Sequence, residues 1–196
     1  SADVTISVSS SDTTEGTVSP MVLSFTRATW NTPRTVTVTG VDDAMADGNI
    51  DYDVSFSIMA TADPDYAGLA PQTVAYTNLD DDAPGITVTP ASGLVTTESG
   101  GTATFALSLN TAPTGNVTVN LTSDTPSEGS VSPSSVTFTP FSYGSHIVTV
   151  TGVDDSYADG ARVYHVITAA ATSTDLNYNG LNAADVTLTN NDNDTA

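Results

Sequence analysis

The sequence has no cysteine, no lysine, three arginines and no long apolar run. Each shortage excludes something. Without cysteine there is neither a disulfide framework nor thiolate metal chemistry. Arg27, Arg34 and Arg162 stand against 23 acidic residues, for a formal net charge of −20. Such a surface repels nucleic acid and anionic membranes. It suits divalent cations, or a salty medium that screens the repulsion. No apolar stretch approaches transmembrane length, so direct membrane insertion is not expected. Helix signals are scarce too, since no segment repeats its apolar residues at helical spacing. The opening Ser1-Ala2-Asp3 reads as neither a signal peptide nor a natural start, and a piece of a longer chain is expected.

What is present is β-structure. Thr, Val and Ser alternate with a period of two, Pro and Gly punctuate the chain, and 38% of residues are hydrophobic. Alternation of this kind lets one face of a strand meet a core while the other meets water. Strands are expected near 4–8, 22–26, 35–41, 52–60 and 73–78. A second set is expected near 86–89, 102–109, 117–122, 135–139, 146–153, 163–171 and 185–190. The fold class implied is all-β, with antiparallel β-sandwiches of Ig-like type.

The chain also repeats itself. Val36 to Asp43 recurs letter for letter at Val148 to Asp155. Around that mark Phe25 answers Phe138, Tyr52 answers Tyr164 and Tyr66-Ala67-Gly68-Leu69 answers Tyr178-Asn179-Gly180-Leu181, a period of about 112 residues. Two tandem domains are expected, 1–84 and 85–196, divided at Asp80-Asp81-Asp82-Ala83-Pro84-Gly85, whose Ala-Pro-Gly is a short stiff turn that sets them end to end. The copies are unequal. Val4 answers Val117, so nothing in the first answers Ile86 through Asn116. Either a boundary cuts through a repeat, or a preceding segment or another chain supplies the strands by β-augmentation.

Acidic residues gather where strands end. Asp42-Asp43 and Asp154-Asp155 are followed by Asp47-Gly48 and Asp159-Gly160, and the units close on Asp80-Asp81-Asp82 and Asp192-Asn193-Asp194. Like charges this close are unfavourable unless something neutralises them. Calcium does so with about six to eight oxygen ligands in flexible loops, whereas magnesium demands stricter geometry. In an extended run Asp80 and Asp82 point one way and Asp81 the other. A weaker signal is Asp175-x-Asn177-x-Asn179-Gly180, which matches the first half of an EF-hand loop. Val186 stands where the closing Glu is needed, so a polar turn is the plainer expectation.

These residues resemble the Calx-beta domain family. The opening Val95-Thr96-Thr97-Glu98-Ser99-Gly100-Gly101-Thr102, the middle Val148 to Asp155 with Asp159-Gly160, and the closing Val186 to Asp194 carry the likeness over most of the second unit. The first unit resembles the family from about Val4 onward and lacks the opening motif. The resemblance implies calcium held by Glu98, Asp154, Asp155, Asp159, Asp192 and Asp194. In the first unit it implies Asp42, Asp43, Asp47, Asp80, Asp81 and Asp82, with weaker binding for want of a Glu98 counterpart. Asp80 to Pro84 is also similar to a cadherin calcium linker.

Catalysis has little support, and no enzyme is expected. His146 and His165 fall in strands with no nucleophile elbow or metalloprotease pattern near them. Trp30 and Tyr143 fall at corresponding turns and offer a possible glycan contact. The reading is therefore a calcium-binding structural repeat of a secreted bacterial adhesin or surface filament, partnered by neighbouring repeats. The alternatives are a carbohydrate-binding module and a metal-free filament subunit assembled by strand complementation between copies.

Overall fold

The structure is a computed structural model and describes residues 2–195. It is all-β, and among the described residues there is no helix, hence none long and apolar enough to cross a membrane. Among the described residues there are sixteen strands, of which the first eight are β1 Val4–Ser10, β2 Gly16–Ser19, β3 Val22–Phe25, β4 Thr37–Gly40, β5 Ile50–Thr61, β6 Gln72–Asn78, β7 Ile86–Thr89 and β8 Leu94–Thr97. Then come β9 Thr102–Leu109, β10 Val117–Ser123, β11 Gly129–Ser132, β12 Ser135–Phe138, β13 His146–Gly152, β14 Arg162–Thr168, β15 Thr172–Ser173 and β16 Val186–Asn191. The chain divides into two compact units, one of residues up to Asp43 with Asp47–Asp81, the other of Ala44–Ala46 with Asp82 onward.

The second unit is a two-sheet sandwich. One sheet runs β12-β10-β14-β16-β8 and the other β11-β13-β9-β7. All neighbours along both are antiparallel except β16 and β8, which are parallel with Leu188 opposite Leu94. Alternation explains the core. In β10 the odd residues Val117, Val119 and Leu121 are buried, and in β13 the even residues Val148 and Val150 are. They meet Phe105, Leu107, Phe138, Tyr164, Val166, Val186 and Leu188 in one apolar cluster. Burying each such side chain contributes about 1.5–3 kcal/mol, which is what orders so polar a chain.

The first unit has the sheet β3-β1-β5-β6 and the pair β2-β4. Its core is smaller: Val8, Leu23, Tyr52 and Val54, with Ile6, Val18, Phe25, Val36, Val38 and Phe56 packed against it partly exposed. Both units place a tyrosine ring directly over a glycine. A Cβ at Gly16 would overlap Tyr52, and one at Gly129 would overlap Tyr164.

Three differences from the sequence-based expectations are physical. β2 and β11 were not expected, because Ser and Thr interrupt their short apolar pattern. They form because the whole of β2 pairs with β4 and the whole of β11 with one end of β13. Leu94–Thr97 becomes a strand through its parallel pairing to β16. In the first unit the alternating stretch from Thr35 yields only the strand Thr37–Gly40, which has a partner on one side alone.

Candidate metal centre

The site of the second unit is assembled by a buried polar network beneath it. Asn190, buried in β16, donates from Nδ2 to the carbonyl of Val153 at 3.2 Å and to Glu128 Oε2 at 3.4 Å. Its Oδ1 accepts from Thr96 Oγ1 at 3.0 Å, and that hydroxyl lies 3.0 Å from the Tyr164 hydroxyl. The network fastens the end of β8, the end of β16 and the start of the acidic loop after β13 to one another. Gly152 permits the approach, since a Cβ there would overlap the Thr97 carbonyl.

Glu98 follows directly from β8 and is buried. Its Oε2 accepts from the backbone N–H of Asn193 at 3.1 Å, and its own N–H donates to Asn191 at 3.0 Å. One carboxylate oxygen each from Glu98, Asp192 and Asp194 lie within 4.8 Å of one another. Asp194 Oδ2 is buried and accepts no hydrogen bond. Asp154 sits at the margin, accepting from Asn193 Nδ2 at 3.0 Å.

The electrostatics follow this crowding. The Asn193 N–H lowers the Glu98 carboxyl, but desolvation and the charges of Asp192 and Asp155 outweigh it and raise it above the usual range. Burial, followed by the charges of Asp192, Asp154 and Asp155, raises Asp194. Asp192 is lowered instead, because the N–H groups of Gly160 and Asp194 donate to it, each at 2.6 Å. One carboxyl is thus held below the usual range while two neighbours are pushed above it. A divalent cation would remove that conflict, and a set made wholly of hard oxygens suits calcium.

The other residues implicated by the sequence have separate duties. Asp155 caps its own turn, accepting from the Tyr157 N–H at 2.7 Å. Asp159 is paired with Arg162 at 2.8 Å.

In the first unit Asn78 plays the part of Asn190, donating to the Val41 carbonyl at 2.7 Å and to Glu15 Oε2 at 3.3 Å. Asp80 holds the acidic loop as Asp192 does, accepting from the Gly48 N–H at 2.6 Å. Asp43 and Asp47 gather with Glu15, their oxygens within 4.8 Å. Asp42 and Asp81 bring carboxylate oxygens equally close to each other. Asp81 therefore faces Asp42 across the loop, while Asp82 begins the second unit and is half-buried.

Glu15 was missed in the sequence. The chain has three glutamates, Glu15, Glu98 and Glu128. Glu15-Gly16 and Glu128-Gly129 occupy the same place in the repeat, and that pairing was the available signal. The first unit has no counterpart of Glu98 but does bring a glutamate to its acidic loop from the turn before β2.

The EF-hand-like stretch has a structural role. Burial raises Asp175, but the N–H groups of Thr114 and Asn177 hold it below the usual range by donating at 2.8 and 2.9 Å. It is a turn-forming aspartate. His165 Nδ1 pairs with Asp124 Oδ2 at 2.9 Å, and His146 stacks edge-on against Phe138 at 4.9 Å. Trp30 is exposed, whereas Tyr143 packs against the second core.

No protein-family model matches the chain, and no curated protein matches it. Solved structures do. The calcium binding domain CBD12 of CALX1.1 aligns with a TM-score of 0.43 at 14% identity, over 87% of this chain and 69% of that one. The S-layer protein rSbsC(31-844) aligns at 0.38 and 20% identity, over 95% of this chain, which spans 20% of that protein. WR4, a C. elegans MSP family member, aligns at 0.36 and 10% identity over 55% of this chain and 96% of its own.

Proposed function

We propose that the chain is a calcium-binding structural repeat, a spacer within a long extracellular bacterial surface protein such as an adhesin or filament. The observation that carries this reading is the trio Glu98, Asp192 and Asp194. One carboxylate oxygen from each lies within 4.8 Å of the others, and Asp194 carries an oxygen, Oδ2, that is buried without a hydrogen-bond partner. A buried carboxylate oxygen left so is costly unless a cation meets it. Calcium would tie the ends of β8 and β16 together and stiffen a unit whose loops otherwise repel. The role is mechanical, not catalytic. The partners are neighbouring repeats of the same protein.

Extracellular calcium modules bind with Kd values of about 0.1–1 mM. At the tighter end, about 10 mM calcium would stabilise a site by about 2.7 kcal/mol. That is a sizeable share of a small sandwich's stability. Thermal unfolding in EDTA and in 10 mM calcium tests the reading. A melting temperature raised by several degrees, with magnesium giving less, is expected. Identical curves in EDTA and calcium would overturn it.

A further inference from the structure

The two units share a strand plan. Val4 pairs with Phe25 as Val117 pairs with Phe138, Gly16 with Gly40 as Gly129 with Gly152, and Tyr52 with Tyr76 as Tyr164 with Leu188. The second unit adds three strands to that plan. β9 extends the smaller sheet by pairing with β13, β7 pairs with β9, and β8 closes the larger sheet beside β16. In the first unit the sheets stop at β4 and β6.

The same side chains record the difference. Val186 is 0% exposed and its counterpart Val74 is 46%; Leu188 is 1% and Tyr76 is 37%. Tyr178 is 1% exposed, because its hydroxyl is clasped by the N–H and carbonyl of Thr111 in the segment after β9. Tyr66, its counterpart, is 45% exposed and borders a groove of about 630 Å³ that Ile6, Phe25, Trp30, Phe56 and Ile58 also line. A groove, two sheet edges and half-buried core residues all lie where the second unit places β7 to β9.

We propose that this open face of the first unit binds a three-strand segment with the pattern of Ile86–Thr111, supplied in trans by a separate polypeptide. A β8-like strand would add parallel to β6, with its Leu94 and Thr96 equivalents opposite Tyr76 and Asn78. A β9-like strand would add antiparallel to β4, with its Phe105 and Ala103 equivalents opposite Val36 and Val38. Main-chain pairing supplies affinity in this mode and alternate side chains supply specificity. Charge agrees: Ile86–Leu109 carries a single charged residue, Glu98, so it can join a chain of net charge −20 with little repulsion. A second copy of this chain is a poor donor. Withdrawing its β7–β9 would uncover one core for each core it covered.

The test adds a synthetic peptide of residues 85–113 to the full chain and follows hydrogen exchange and complex mass. Saturable one-to-one uptake is expected, with new protection of amides in Thr37–Gly40 and Gln72–Asn78. Val74→Lys, at an already exposed position, should weaken uptake about tenfold or more while leaving protection of the second unit unchanged. Absence of uptake, uptake unaffected by Val74→Lys, or protection confined to the second unit would each overturn the proposal. Protection of β4 and β6 in the chain alone, growing with concentration as the mass doubles, would overturn it in favour of a second copy.

Discussion

The side-chain amide of Asn190 donates to the carbonyl of Val153 at 3.2 Å, and that of Asn78 donates to Val41 at 2.7 Å. In each unit one asparagine near the end of the last strand thereby fixes the entry to the acidic loop. Asp80 and Asp192 then hold the far side of each loop by accepting from the Gly48 and Gly160 N–H groups.

Replacing that asparagine should loosen the loop from below. Asn190→Ala leaves the Thr96 hydroxyl and the Val153 carbonyl short of a partner in a buried setting, at a cost of about 1–3 kcal/mol. Differential scanning calorimetry should show a clear drop in the melting temperature of the second unit. Calcium should recover part of the drop, because it crosslinks the same loop ends from above.

Neutralising a carboxyl at the centre should act in opposite directions with and without metal. Glu98→Gln or Asp194→Asn removes a charge whose ionised form the metal-free fold disfavours. In EDTA either variant should melt at or above the parent temperature. In calcium it should melt below the parent, with the calcium midpoint shifted to higher concentration. A variant that melts lower in both conditions would indicate a packing role instead.

The pH dependence of the metal-free protein has two limbs. Glu98 and Asp194 have folded pKa values above their unfolded ones, so the folded state binds more protons there and stability falls as pH rises past the usual carboxylate range. Asp192, Asp175 and Asp124 have folded values below their unfolded ones. The stability they contribute is present above the usual range and is lost as pH falls through their folded values. A stability maximum near the ordinary carboxylate pKa, around pH 4, is expected in EDTA-treated protein. Calcium should flatten the alkaline limb. Chemical denaturation at a series of pH values reads both.

Asp175 should matter for folding and not for metal. Asp175→Ala removes the charged acceptor of the Thr114 and Asn177 N–H groups and should cost about 1.5–3 kcal/mol. The calcium-induced rise in melting temperature should be the same as in the parent. A reduced calcium response would reinstate the EF-hand-like stretch as a ligand loop.

Part of this protein was legible in its sequence for simple reasons. Alternation at period two marks strands such as Val117–Ser123 and His146–Gly152 locally, without reference to any partner. The identical Val36 to Asp43 and Val148 to Asp155 fix the repeat register by inspection, and the repeat register locates the acidic loops. Strands such as Gly16–Ser19 and Leu94–Thr97 carry too few apolar residues to be seen this way. They exist because an ordered neighbour offers its free N–H and C=O groups, a property of the partner and not of the segment. The acidic residues show the same divide. Their clustering was visible in the chain, and the family resemblance already grouped Glu98 with Asp192 and Asp194, but which members of that group face one another depends on strand ends far apart in sequence. Only the fold assigns Asp159 to Arg162 and brings Glu15 to Asp43 and Asp47. Likewise composition alone cannot tell Val74 from Val186. What separates them is the strand beside them, which buries the second and leaves the first in water.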